Sequence, residues 1–156
     1  MLRKKTYDKD NMIIIYHAFV EIQLSDGHAI HTHEICENIA KLGHDVTLFC
    51  PTPRSPTTFE HNYQISGFPF VGFSFCRKLY SYIFSAFYLI RFLLHNKVDC
   101  IIDKNTEMNP FPELIAALFK TPIVLEINGY GLKEIGSTHL LYKCLFRIIE
   151  HFKLKR

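Results

Sequence analysis

No Cys-x-x-Cys pair occurs in this 156-residue chain: its five cysteines (Cys36, Cys50, Cys76, Cys100 and Cys144) stand singly, widely spaced and odd in number. A disulfide framework or a zinc site needs paired or closer spacing, so the pattern fits a reducing cytoplasm. Glycine is sparse, seven residues in all, and forms neither a Gly-x-Gly-x-x-Gly run nor a Gly-x-x-x-x-Gly-Lys-[Ser/Thr] loop. The backbone cradles of dinucleotide-binding and P-loop proteins are therefore missing. No apolar run reaches the roughly 18–20 residues that cross a bilayer; the stretch 79–94 is interrupted by Arg91. Residues 1–11 form an extension charged with both signs. The apolar run behind them, 12–20, carries His17 and no small-residue cleavage site, so it does not read as a signal peptide. Acidic side chains are absent from 61–98.

What the chain has in quantity is apolar surface. At 48% hydrophobic and 21% charged residues, disordered, collagen-like and low-complexity classes are excluded. This length suits one domain with a core that needs no staples, and it leaves no room for an enzyme whose site needs two full domains. The formal net charge of +3 is unevenly spread. Residues 61–98 hold four basic side chains (Arg77, Lys78, Arg91 and Lys97) against no acid, and residues 135–156 hold five against Glu150 alone. Both segments are expected to be helical. Such segments suit an anionic surface, phospholipid or nucleic acid, or are ordinary solvated helix faces.

The hydrophobic period alternates between strand-like and helix-like windows. Strands are expected at 12–20, 45–50, 63–73, 99–103 and 122–127, the third weak and broken by Gly67 and Pro69. Helices are expected where apolar residues recur at Ile35, Ile39 and Leu42, then at 77–96, 112–120 and 140–152. Ser25 or Asp26 suits the first N-cap, and Gly43 the left-handed residue past its end. The alternation predicts an α/β domain with a doubly wound parallel sheet. In such sheets ligands lie beyond the carboxyl ends of the strands, which directs attention to 19–27, 52–55, 104–109 and 128–131.

Three of these loops carry candidate chemistry. In SDGHAIHTHE (25–34), Asp26 and Gly27 open a helix whose backbone N–H groups could meet a phosphate or sugar hydroxyl, or simply form a tight turn. His28 and His31 share a face with Ile35 and Ile39, so they either bond a substrate or are satisfied against the sheet. A zinc site would need a third ligand that no recognised spacing supplies, and no metal is expected. In DKNTEMNPFPE (103–113), Lys104, Asn105 and Glu107 are polar at a strand terminus, whether for a ligand or as a solvated helix start. In VLEINGYGLKE (124–134), Glu126 lies within an apolar strand and must be paired or at its open end. With Asn128 and Gly129 it forms either a sugar-binding rim or a turn. Helix 77–96 has a narrow polar stripe (Lys78, Ser81, Ser85 and His95) among Leu, Ile, Phe and Tyr. It is either buried or laid against lipid, with Arg77, Lys78 and Arg91 as the membrane contacts.

The stretches GHAIHTHEICENIAKLGHDVTLFCP (27–51) and VDCIIDKNTEMNPFPELIAALFKTPIVLEINGY (98–130), with the spacing between them, resemble the N-terminal domain of family 4 glycosyltransferases. The resemblance covers about residues 12–150. It implies a Rossmann-like three-layer sandwich with a parallel sheet, the N-terminal half of a two-domain GT-B fold. It also implies that the loop ending at Gly27 lines the interdomain cleft near the donor diphosphate, and that 104–107 and 126–129 shape the acceptor pocket. Where members often carry His-x-His after the fourth strand this chain has Asp103, Lys104 and Asn105, and where many place a histidine after the fifth it has Asn128.

On that resemblance, residues 12–156 are expected to be a C-terminally incomplete acceptor-side domain, with no donor-binding domain present. The expected function is glycosyl transfer to a lipid-linked or cell-surface glycan acceptor, inactive alone. No cofactor is expected on this chain itself. The nucleotide-sugar donor and the acceptor would be engaged through a C-terminal domain or a partner chain, in the cytoplasm or at the inner face of the plasma membrane. The alternatives are a non-catalytic binding or regulatory module that retains the fold, and a small nucleotide-using enzyme with no supporting glycine motif. Nucleic acid is not an expected partner, since the aromatics cluster in a helix instead of interleaving with basic residues on a sheet.

Overall fold

Short runs rich in β-branched and aromatic residues supply most of the strands, as a sheet covered on both faces requires; the third, QISGF, is the most polar. A computed structural model describes residues 11–23, 26–53, 60–70, 75–104 and 109–126, with the helical backbone alone at 75–78. The elements run β1 (Ile13–His17), α1 (Gly27–Lys41), β2 (Asp45–Pro51), β3 (Gln64–Phe68), α2 (Phe75–His95), β4 (Cys100–Lys104), α3 (Phe111–Phe119) and β5 (Ile123–Glu126). All pairings are parallel, in the order β3-β2-β1-β4-β5. The expected α/β, Rossmann-like architecture is therefore present. The helix expected at 140–152 lies outside the described residues.

Alternation along β1 divides the core into two layers. Tyr16, with Val46, Leu48 and Cys50, packs under α1 through Ala29 and Cys36. Ile15, with Phe49 and Ile101, packs under α2 and α3 through Leu89, Ile115 and Ala116. Cys36 and Cys50 are free thiols that burial pushes up, Cys50 to about 12, which makes them inert packing groups at neutral pH.

The caps follow ordinary chemistry. Asp26, not Ser25, caps α1: its Oδ1 accepts from the Ala29 N–H at 2.8 Å. Gly43, past the helix end, has φ 94°, the left-handed conformation glycine takes without strain. Farther along α1, the Glu37 carboxylate accepts from the Asn62 backbone N–H at 2.9 Å and its side-chain amide at 2.6 Å. Those two bonds, the backbone one first, hold its carboxyl below the usual range and tie the approach to β3 onto α1.

One expectation needs correction. Gly67 does not break the third strand; β3 runs through it and stops before Pro69. A Cβ at Gly67 would stand 2.8 Å from the Thr52 Cα, so the strand needs glycine for close backbone approach. On α2 the serines of the polar stripe turn inward and part of the apolar surface turns outward. Ser81 and Ser85 are fully buried against the sheet, whereas Ile83, Phe87 and Leu94 stand half exposed or more. The polar His17 and Asp103 beneath the helix explain the inversion. No described helix is long and apolar enough to cross a membrane.

Gly67→Ala should destabilise the fold by about 1–3 kcal/mol in chemical denaturation, the usual cost of overpacking. Glu37 has a depressed folded-state pKa, so its stabilisation is complete above its ordinary 4.5 and lost as pH falls through the lowered value. Glu37→Gln should therefore flatten that acid limb in a denaturation series from neutral pH downward.

Candidate functional site

Strand order reverses between β1 and β4, where the chain leaves the sheet upward on one face and returns on the other, opening a crevice at their carboxyl ends. Register decides which side chains meet there. Tyr16 pairs with Ile102, and Lys104 with Glu126. With a period of two, Tyr16, Lys104 and Glu126 all face α1.

Glu126 is the hub of this cluster. Its Oε2 accepts the Tyr16 hydroxyl, and its Oε1 pairs with His31 Nε2 at 3.0 Å. Burial first, and then the Glu126 carboxylate, pushes the Tyr16 phenol well above its ordinary value, so Tyr16 remains a donor at any working pH. Lys104 is only 2% exposed. Its Nζ donates to the Thr32 Oγ1 at 2.9 Å and to the His28 carbonyl at 3.2 Å. Burial pulls the Lys104 ammonium below its ordinary value, while the carboxylates of Glu126 and Asp26 pull it back up. His31 is the accessible member, with its side chain 48% exposed. With Nε2–H given to Glu126, its Nδ1 presents a lone pair that no hydrogen bond occupies among the described residues. The tautomer is assigned from this bonding.

On the opposite face the same strand ends hold a second cluster. His17 Nδ1 meets Asp103 Oδ1 and His17 Nε2 meets Ser85 Oγ, each at 2.7 Å. All three residues are buried. Phe68 stacks on the imidazole at 6.1 Å between centroids, and Phe19 meets it edge-on at 5.5 Å. Ser85 lies in the middle of α2 with no water access, so the chain of bonds clamps β1, β4 and α2 together instead of exposing a nucleophile.

The expected site residues thus divide. Asp26, His28, His31, Lys104 and Glu126 come together at one crevice. Lys104 is not in the loop after β4 but is its last, buried residue, reaching α1 instead of solvent. His28 contributes its backbone carbonyl to Lys104. At Gly27 an added Cβ would meet nothing within 4 Å, so no internal contact demands glycine there. Asn105, Glu107, Asn128 and Gly129 lie outside the described residues, as do the side chains of Arg77 and Lys78, which occupy the first turn of α2. Arg91 lies exposed on the same helix. Tyr16, Thr32, Asp103 and the Ser85 partner of His17 were not singled out as site residues. The one signal for them was His17, a polar side chain within an apolar strand run.

Residues 25–155 match the family model described as Glycosyltransferase Family 4. No curated protein matches the chain. Among solved structures, the C-terminal domain of a hydrogenase from Pyrococcus furiosus is similar at TM-score 0.52 and 12% identity, over 75% of this chain and 91% of that one. At that identity the likeness is one of fold.

Asp103→Ala should destabilise the protein by about 1–3 kcal/mol, because it leaves a buried imidazole nitrogen unpaired. Asp103→Asn, which keeps an acceptor, should cost less, and thermal denaturation of the two variants orders them.

Proposed function

The chain belongs to glycosyltransferase family 4, and from that premise we propose that it is the acceptor-side domain of a nucleotide-sugar-dependent glycosyltransferase acting on a lipid-linked or cell-surface glycan. The observation that carries this reading is the crevice cluster: a half-exposed histidine, oriented by a carboxylate that a buried tyrosine holds in place. Sugar hydroxyls are recognised by paired donors and acceptors at fixed angles. Glu126 and His31 offer that combination on rigid strand and helix ends. His31 Nδ1 accepts the hydrogen bond of the acceptor hydroxyl and turns the oxygen lone pair outward, toward the anomeric carbon of the donor.

The donor would face the crevice from a second domain, on this polypeptide or another. The N-terminus of α1, with Asp26 and Gly27, would lie nearest its diphosphate. Without that domain these residues bind acceptor and transfer nothing. The outward face of α2, apolar and flanked by Arg91, is read as resting on the inner face of the plasma membrane, which keeps the crevice close to a lipid-linked substrate.

The test is direct. The purified chain, given UDP-glucose or GDP-mannose with a membrane lipid extract, should transfer no sugar; turnover would overturn the acceptor-half assignment. Titrated with soluble mannose- or N-acetylglucosamine-terminated oligosaccharides, its amide NMR shifts should move around His31 and Glu126. Glu126→Gln should weaken that binding about tenfold, as loss of a charged hydrogen bond does. Gly27→Ala should leave stability unchanged or slightly raised. Shifts confined to other surfaces would sink the crevice as the acceptor site.

A further inference from the structure

Beside its outward apolar ridge, α2 has a second feature on the flank turned toward the sheet edge. A groove of about 220 Å³ opens between this helix and the edge strand β3. Its floor is Phe49 of β2 and its walls include Tyr88 and Phe92 of α2. The polar side chains that line it are Ser66, Arg91, His95 and Asn96. Neither β3 nor α2 contains an acidic residue. The Arg91 side chain makes no hydrogen bond or ion pair among the described residues. His95 gives its Nδ1 to the Arg91 carbonyl at 2.7 Å, which leaves Nε2 for a ligand. The rim thus sets one guanidinium, with no ion-pair partner among the described residues, beside three further polar side chains, above an aromatic floor.

Position along the helix ties this groove to the ridge. At about 100° per residue, Ile83, Phe87 and Leu94 fall within roughly 40° of one another, and Arg91 lies about 40° beyond Phe87. The three apolar side chains are half exposed or more. A helix laid on a bilayer buries such a ridge about 5–10 Å into the boundary between headgroups and acyl chains. Arg91, at the edge of the ridge, then stands at phosphate level, where its planar fork suits two phosphate oxygens. Tyr88 beside it is an aromatic of the interfacial type.

We propose that the groove between β3 and α2 binds the phosphate of an anionic glycerophospholipid headgroup when the apolar ridge of α2 lies on the membrane. The proposal rests on the membrane reading above and adds to it a headgroup site. Charge favours this occupant: residues 61–98 hold four basic side chains and no acid. The groove lies at the sheet edge and shares no residue with the crevice cluster, so lipid and acceptor occupy separate sites.

The experiment compares co-sedimentation with phosphatidylcholine vesicles and with vesicles that also contain phosphatidylglycerol. NMR titrations with monomeric dihexanoyl phosphatidylglycerol and with inorganic phosphate accompany it. The unaltered chain should prefer the anionic vesicles, and the short-chain lipid should shift Ser66, Tyr88 and His95. Arg91→Gln should lower anionic-vesicle binding about fivefold, the effect of one basic residue at such a surface. It should also abolish the short-chain lipid response. Phe87→Ser with Leu94→Ser should weaken vesicle binding yet keep the short-chain lipid in the groove. Both sets of changes are at exposed positions, so circular dichroism should be unaltered. If the Arg91 variant binds both vesicle types as the unaltered chain does, the headgroup site is wrong and the membrane reading stands. If the unaltered chain sediments with neither vesicle, the membrane reading fails and takes the proposal with it. Inorganic phosphate bound as tightly as the short-chain lipid would overturn the lipid assignment.

Discussion

The carboxyl ends of β1 and β4 carry polar side chains into places water does not reach, and each must be answered from inside the protein or destabilise it. His17 and Asp103 answer one another across the strand pair and recruit Ser85 from α2. Lys104, one residue on and facing the other way, is answered by Thr32 and a carbonyl of α1. Those pairings fix how each helix layer meets the sheet. The apolar contacts of the two cores supply most of the stabilisation. They are non-directional, and the buried polar pairs are what single out one seating of α1 and α2.

This arrangement gives the crevice its character. Tyr16 and Lys104 form a floor that cannot move without exposing an unpaired group. Glu126 stands on that floor and holds His31 toward solvent. The accessible chemistry is one imidazole and one carboxylate on a rigid base, an arrangement suited to hydroxyl recognition and consistent with a glycosyltransferase-type domain.

Much of the fold was legible from local sequence. Each β-branched run became a strand, Asp26 and Gly43 bounded α1 as their chemistry requires, and the alternation of elements implied the parallel sheet. Glu126 was legible as an acid in an apolar strand that needed a partner. Its partners were not, because Tyr16 and His31 lie 110 and 95 residues away, and it takes the registers of β1 against β4 and β4 against β5, with α1 packed above, to bring them together. For the same reason His17 could be noticed and Asp103 and Ser85 could not be assigned to it. On α2, the narrow polar stripe was legible but the direction of its serines was not: Ser81 and Ser85 turn inward because the sheet beneath them is polar at that point.

The way Glu126 divides its oxygens has a consequence for any occupant of the crevice. One oxygen is committed to the Tyr16 hydroxyl and the other to His31, so the carboxylate is already coordinated on both sides. Each oxygen still has a second lone pair, so a hydroxyl that donates to Glu126 adds a bond and leaves the His31 contact in place. Selectivity then lies in angle: the two bonds already made fix the carboxylate plane, and an incoming hydroxyl must approach along the directions that remain.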